Sequence, residues 1–200
     1  MATRAGLSKA AVIDTAVTLA DEAGLDQVTL AHLAERLGVR TPSLYHYFPG
    51  QAGLQRELAL RGLRDLNEVM GEAAMGTAGA ESIRAVAQAY RSFVTARPGL
   101  YAATVRAAND TDEAMVAAQT KPVEVALRAL AAYHLSRDDA IHAVRMLRCI
   151  IHGIATLEVA GGFGIPLEVD ETFRRLLDAY ISALEFTAST ARNQTVKRSR

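Results

Sequence analysis

The chain has 200 residues, half of them hydrophobic and 22% charged, a balance that suits one large soluble domain or a small head on a larger body. Its 22 Lys and Arg match 22 Asp and Glu, so it is not built as a bulk nucleic-acid coater, and any such contact must come from a few placed groups and backbone amides. The single cysteine, Cys149, cannot form an internal disulfide and points to a reducing cytoplasm. No apolar run reads as membrane-length, and no basic-then-apolar leader is visible.

Strand-like alternation between turn pairs is absent and apolar residues recur at three and four, which predicts an all-α fold. Ser8 is placed to cap a first helix with Val12, Ile13, Ala16, Val17, Leu19 and Ala20 inward, ended by Gly24. Thr29 caps a second helix, Leu30 to Leu37, which Gly38 closes. Thr41 caps a third, with Pro42 at its first position, where the missing N–H costs nothing. Pro49-Gly50 breaks the chain before a long helix from Gln51 to about Met75. Helices follow over 81–96, 98–107 and, after an Asn109-Asp110-Thr111 break, 112–134. Ser136 and Asp139 form a capping box for a helix reaching Ala160. The glycine-rich connector Gly161 to Pro166 leads to a last helix from Asp170 to about Ser189, and the basic tail over 191–200 is expected to fray. The expected division is a head over 1–50 with the next helix as connector, a body over 51–190, and the tail.

The segment TLAHLAERLGVRTPSLYHYF, Thr29 to Phe48, has the layout of a helix-turn-helix, which inserts its second helix into the DNA major groove. Leu33, Ala34, Leu37, Val39, Leu44 and Phe48 can pack inward, and Gly38 supplies the turn. Arg40, Thr41, Ser43, His46 and parts of Tyr45 and Tyr47 then face outward, where hydroxyls, a guanidinium and an imidazole can reach phosphates or base edges. A plain helical hairpin with a polar face is the alternative on spacing alone.

The G-x-x-x-x-T link from Gly24 to Thr29, Leu33-Ala34, Leu37-Gly38-Val39 and the run Pro42 to Phe48 resemble the N-terminal domain of tetracycline-repressor (TetR)-type regulators over residues 8–64. Arg97-Pro98-Gly99-Leu100-Tyr101, His152-Gly153, Leu157-Glu158 and Ala160 to Gly164 are similar to the branch of that family with a Trp-His-Gly motif in its C-terminal domain. Ile151 stands at that tryptophan's place, so contacts of an indole do not carry over. The resemblance implies DNA contacts at Thr29, Arg40, Thr41, Pro42, Ser43, Tyr45, His46 and Tyr47. Arg40 and Ser43 are then the base-edge readers, Pro42 an apolar contact for a thymine methyl, and Thr29, Tyr45 and Tyr47 backbone contacts. Gln51 replaces a lysine found in many relatives, leaving a weaker, neutral phosphate contact there. Ala31 replaces a basic residue of some members, and Lys9 and Arg4 are the available compensation.

The resemblance also implies a homodimer through the last two helices and a small-molecule effector. Ile141, Val144, Leu147, Ile150, Ile151, Ile154 and Leu157 occupy more of their helix's circumference than one buried face needs. Phe173, Leu176, Leu177, Tyr180, Ile181 and Leu184 do the same in the last helix, which suits a four-helix interface. Candidate effector-lining residues are Met70, Tyr90, Phe93, Tyr101, Val105, Met115, Met146 and His152, the tyrosines and the histidine being polar groups in apolar helices that need partners.

Other chemistry is poorly supported. Cys149, His152 and His142 supply no four-ligand metal set, and Gly161 to Gly164 follows a helix and lacks the lysine of a phosphate loop. No nucleophile, base and orienting acid form a set. No cofactor, metal or enzyme activity is expected. The expected function is a cytoplasmic DNA-binding regulator, a repressor released from a double-stranded operator by its ligand, with no membrane partner. The alternative is a helical small-molecule binder or enzyme whose head does not read DNA.

Overall fold

The computed structural model describes residues 7–106 and 111–198, with side chains described to Thr190. Arg4, Asn109 and Asp110, and the side chains of the basic tail, therefore lie outside the described residues. Eight α-helices and three short 3-10 turns form the described chain, with no strand among those residues: α1 Lys9–Ala23, α2 Leu30–Leu37, α3 Gly50–Ala74, α4 Gly79–Ala96, α5 Pro98–Arg106, α6 Glu113–Ala129, α7 Arg137–Val159 and α8 Val169–Arg198. The chain is organised as two compact units, one of Met1–Asp65 with Arg97–Ala118, the other of Leu66–Ala96 with Gln119–Arg200. The unit holding the head thus extends past residue 50, because α5 packs on α1.

In the first unit, Ser8 caps α1 as its sequence suggests, its hydroxyl accepting from the Ala11 N–H at 3.2 Å. Val12, Ala16, Val17, Leu19 and Ala20 of α1 are buried, as are Leu30, Leu33 and Ala34 of α2, which packs on α1. The start of α5 lies against the end of α1. The Asp21 carboxylate accepts from Arg97 Nε at 2.6 Å and from the Leu100 N–H at 3.0 Å, tying down the first turn of α5. A Cβ on Gly99 would stand 1.9 Å from the Ala20 carbonyl oxygen, so only glycine lets the two backbones approach this closely. The Arg97–Tyr101 motif is therefore a helix-docking device.

The second unit stacks α4 on α7 and α7 on α8. Ile83, Val86, Ala87, Tyr90 and Val94 of α4 are buried, as are Val144, Leu147, Ile151 and Ile154 of α7 and Phe173, Leu177, Tyr180, Ile181 and Leu184 of α8. Arg91 is the one charged side chain buried among the described residues, at 4% exposure. It grips Glu158 at the end of α7 with two bonds of 2.9 Å and Asp170 at the start of α8 at 2.7 Å, while its guanidinium lies 5.0 Å from the centre of the Phe173 ring. This clip holds together the two ends joined by the connector.

Three expectations need correction. The helix over 112–134 stops at Ala129 and gives way to a 3-10 turn, Ala131–Tyr133, with His134 in the left-handed region at φ 51°. Buried Tyr133 anchors that turn. The last helix continues to Arg198 rather than ending near Ser189, since residues 189–198 hold neither glycine nor proline. Helix α7 is, by length and composition, apolar enough to cross a membrane, with a mean hydropathy of 1.3 over its best window. It packs on α4 and α8 along one face and exposes Arg145 and Arg148 on another.

Candidate nucleic-acid interface

The helix-turn-helix is assembled as its sequence dictates up to Arg40. Thr29 Oγ1 accepts from the His32 N–H at 3.1 Å, satisfying one orphan amide of α2. Gly38 closes α2 in the left-handed region (φ 65°, ψ 32°), and the Val39 N–H reaches back to the Ala34 carbonyl at 2.9 Å. The segment after it differs from expectation. Residues Thr41–His46 form a 3-10 turn rather than an α-helix, and Arg40, extended at φ −82° and ψ 141°, takes the cap position without a side-chain bond. Thr41 is thus the first helical residue, not the cap. Pro49 disfavours the helical region for Phe48, and the Tyr-His-Tyr run is weak in helix propensity, so only a short, tight turn fits before α3 begins.

Leu44 at 0% and Phe48 at 1% exposure anchor this turn in the core of the unit. Between and around them Arg40, Pro42, Ser43, Tyr45 and His46 are exposed, Tyr45 at 59%, and Thr41 is half-buried. Arg40 makes no ion pair among the described residues. The arrangement presents a guanidinium, a hydroxyl, an imidazole, a phenol and an apolar ring on one short segment, which is the chemistry needed for phosphate and base-edge contacts.

Two predicted contact residues are engaged elsewhere. The Tyr47 hydroxyl donates to the Leu7 carbonyl, bracing the chain ahead of α1. The Gln51 amide bridges α3 to the start of α2: its Oε1 accepts from the Leu30 N–H at 3.1 Å and its Nε2 donates to the Val28 carbonyl at 2.6 Å. Both ends of the Gln51 amide thus have backbone partners that position the start of α2, and one of its two Nε2 hydrogens is left over for a phosphate. Lys9, the expected compensating cation, is paired with Glu57 at 2.8 Å, and Arg36 with Glu22 at 2.6 Å. Neither the Gln51 bridge nor the Lys9 pair is visible in local spacing, since each joins residues more than 20 positions apart.

The eight effector candidates do not form one cluster within either unit. Tyr101 and Met115 are buried in the first unit, where Val105 is 44% exposed; Met70, Tyr90 and Phe93 are buried in the second, where His152 is half-buried and Met146 is 53% exposed. Val105 and Met146 are thus the two exposed members of the set, Met146 lying outside the buried stripe of Val144, Leu147, Ile151 and Ala155. Cys149 is exposed, and no group of three His, Cys, Asp or Glu among the described residues is placed to hold a metal ion.

Comparison with known proteins agrees with this geometry. Residues 12–58 match the family model of bacterial regulatory proteins of the tetR family, and residues 83–180 match the tetracyclin repressor-like C-terminal domain. The chain is 31% identical over 184 residues to the uncharacterized HTH-type transcriptional regulator YobS of Bacillus subtilis, covering 92% of this chain and 96% of that protein. Two solved structures share the fold: a protein of unknown function from Rhodococcus sp. RHA1 (24% identical, TM-score 0.78, covering 92% of this chain and 100% of that one) and a TetR variant from Acinetobacter baumannii AYE in complex with minocycline (24% identical, TM-score 0.69, covering 90% and 97%). A reading head with an exposed polar turn, an all-helical body, and matches in both parts lead to one conclusion: the chain belongs to the tetR family of bacterial regulatory proteins and is a transcriptional regulator.

Proposed function

We propose that the protein is a cytoplasmic homodimeric repressor that leaves its operator when a small molecule binds the body. The observation that carries the DNA-reading part is the Arg40–His46 turn, whose polar side chains are exposed while Leu44 and Phe48 fix it to the core. Arg40 and Ser43 read base edges, Pro42 touches a thymine methyl, and Thr29, Thr41, Tyr45 and His46 hold the backbone. Tyr47 and Gln51 act from behind, through Leu7 and through Val28 and Leu30.

Two half-sites about 34–36 Å apart require two heads, which argues for a dimer. Met146 and Leu157 on α7 and Leu176 and Phe186 on α8 are exposed large apolar side chains of one protomer, and Phe186 is 72% exposed. A second copy covers them in the four-helix interface that the family implies. The body resembles the Trp-His-Gly branch, with Ile151 as a buried aliphatic substitute at 1% exposure. The effector is mostly apolar with one or two hydrogen-bonding groups, and it acts by favouring an arrangement of the heads that mismatches the half-site spacing. Catalysis is no part of this reading.

The test is a gel shift with the DNA upstream of the protein's own coding region, at fixed salt, with and without an effector found by thermal-shift screening. Specific retardation that the effector reverses is the expected result. Retardation equal on a scrambled fragment contradicts it, and favours a helical binder whose head no longer reads DNA.

A further inference from the structure

The first unit contains a cavity of about 440 Å³, within the span of roughly 300–1,000 Å³ typical of small-molecule sites. Its room comes from small side chains: Ala52, Gly53 and Ala59 on α3 line it together with Ala103 on α5. Leu25 and Met115 extend the apolar lining, and both are buried. Its polar lining is Gln55, Arg56, Arg106 and Asp112.

The pair inside it has an instructive geometry. Arg56 Nε donates to Asp112 Oδ2, and its Nη2 donates to Oδ1 at 3.0 Å, so the guanidinium fork already holds a carboxylate in the two-bond mode. Asp112 has a second task. Its Oδ1 accepts from the Ala114 N–H at 3.1 Å and the Met115 N–H at 3.2 Å, capping α6. If Arg56 released it, Asp112 would keep that cap and lose no helix. The Arg56 side chain is 40% exposed and the Asp112 side chain 15%, so exchange of the partner carboxylate carries no penalty of a sealed ion pair.

We propose that this cavity is a small-molecule site separate from the effector site of the body, and that it takes a short acyl carboxylate, with the chain among Ala52, Ala59, Ala103 and Met115 and the carboxylate on Arg56 in place of Asp112. Asp112 is the internal stand-in for the ligand's acid group. Its exchange opens the tie between α3 and the start of α6, while the α6 cap persists. The Arg106–Asp26 pair at the same cavity binds the end of α5 to the link ahead of α2, so an acid entering here sits among the contacts that hold the reading head. The inference rests on neither DNA reading nor dimerisation.

Calorimetric titration of the full-length chain with octanoate, and with octanamide as the neutral control, tests it. Octanoate should saturate with a Kd of about 1 mM or tighter, and octanamide should bind at least about tenfold more weakly. Arg56→Gln should abolish that difference. Asp112→Asn keeps an oxygen for the Ala114 and Met115 amides but removes the carboxylate that occupies the Arg56 fork, leaving only Glu57 at 3.5 Å from Nη1, so it should tighten octanoate severalfold; a purely structural Arg56–Asp112 pair would not do this. Ala52 is exposed, so Ala52→Phe should fold normally, as its melting curve will show, and block octanoate. The proposal is overturned if octanoate fails to saturate below about 10 mM, if its affinity survives both Arg56→Gln and Ala52→Phe, or if Asp112→Asn weakens it.

Discussion

Replacing Gln51 separates two accounts of the reading head. Gln51→Leu keeps the side chain's bulk and deletes both bonds of its amide, the one from the Leu30 N–H (3.1 Å) and the one to the Val28 carbonyl (2.6 Å). Val28 and Leu30 are 1% and 6% exposed, so these backbone groups have little access to water. An unsatisfied buried backbone group costs about 1–3 kcal/mol. Gln51 itself is only half-buried, so partial hydration places the total near the low end, about 2 kcal/mol. For a chain of this size, that corresponds to a fall in melting temperature of roughly 4–8 °C. Thermal unfolding at fixed protein concentration reads it, and amide exchange at Leu30 should lose its protection. Gln51→Lys should also destabilise, since an ammonium cannot accept from Leu30. If Gln51 were instead a phosphate contact, Gln51→Leu would leave the melting temperature unchanged and weaken operator binding without altering its salt dependence, and Gln51→Lys would strengthen binding and steepen that dependence. That pattern would refute the bridge.

Gly99→Ala should destabilise by about 2–3 kcal/mol, because the new Cβ meets the Ala20 carbonyl rather than a side chain that can move aside; chemical denaturation measures it. Arg91→Ala should cost about 2–3 kcal/mol, from lost packing under Phe173 and from a broken clip; Glu158 and Asp170 are exposed enough to regain water, which keeps the loss below that of a sealed pair. Burial pushes the Tyr180 phenol above its ordinary range, and its hydroxyl donates to the Ala143 carbonyl at 2.8 Å. The folded state therefore holds the phenolic proton more tightly than the unfolded chain. Its contribution is complete below pH ~10 and is lost as pH rises beyond that. Tyr180→Phe should lose about 1 kcal/mol at neutral pH and flatten the alkaline limb of the stability curve.

What could be read in the sequence was whatever local chemistry decides. Ser8, Thr29 and Ser136 cap the helices that follow them, and Gly24 and Gly38 end α1 and α2 with positive φ, as residue type alone predicts. Of the Ser136–Asp139 box the cap half is formed, with the Asp139 N–H donating to Ser136 Oγ at 3.2 Å, while the Asp139 carboxylate accepts from that hydroxyl at 2.7 Å. The inward face of α1 was equally legible, because a period of 3.6 leaves few choices. Features settled by distant partners were not. Asp21 clamps residues 97 and 100, Gln51 reaches back to Val28 and Leu30, and Tyr133 turns the chain where the apolar period would have carried a helix on. The contact face was legible in composition but not in form. Arg40, Ser43 and His46 were expected outward and are exposed, yet the segment that follows Arg40 is a 3-10 turn, kept short by the Tyr-His-Tyr run and by Pro49 beyond it.

We propose that the Arg40–His46 turn reads DNA sequence. Fluorescence anisotropy with the upstream DNA and a scrambled duplex, at one salt concentration, measures it directly for the wild type and for Arg40→Ala. The wild type should prefer its own upstream DNA, and Arg40→Ala should lose about 1–3 kcal/mol of that preference per half-site, with the melting temperature unchanged because Arg40 is exposed. Operator affinity and discrimination left intact in Arg40→Ala would contradict it.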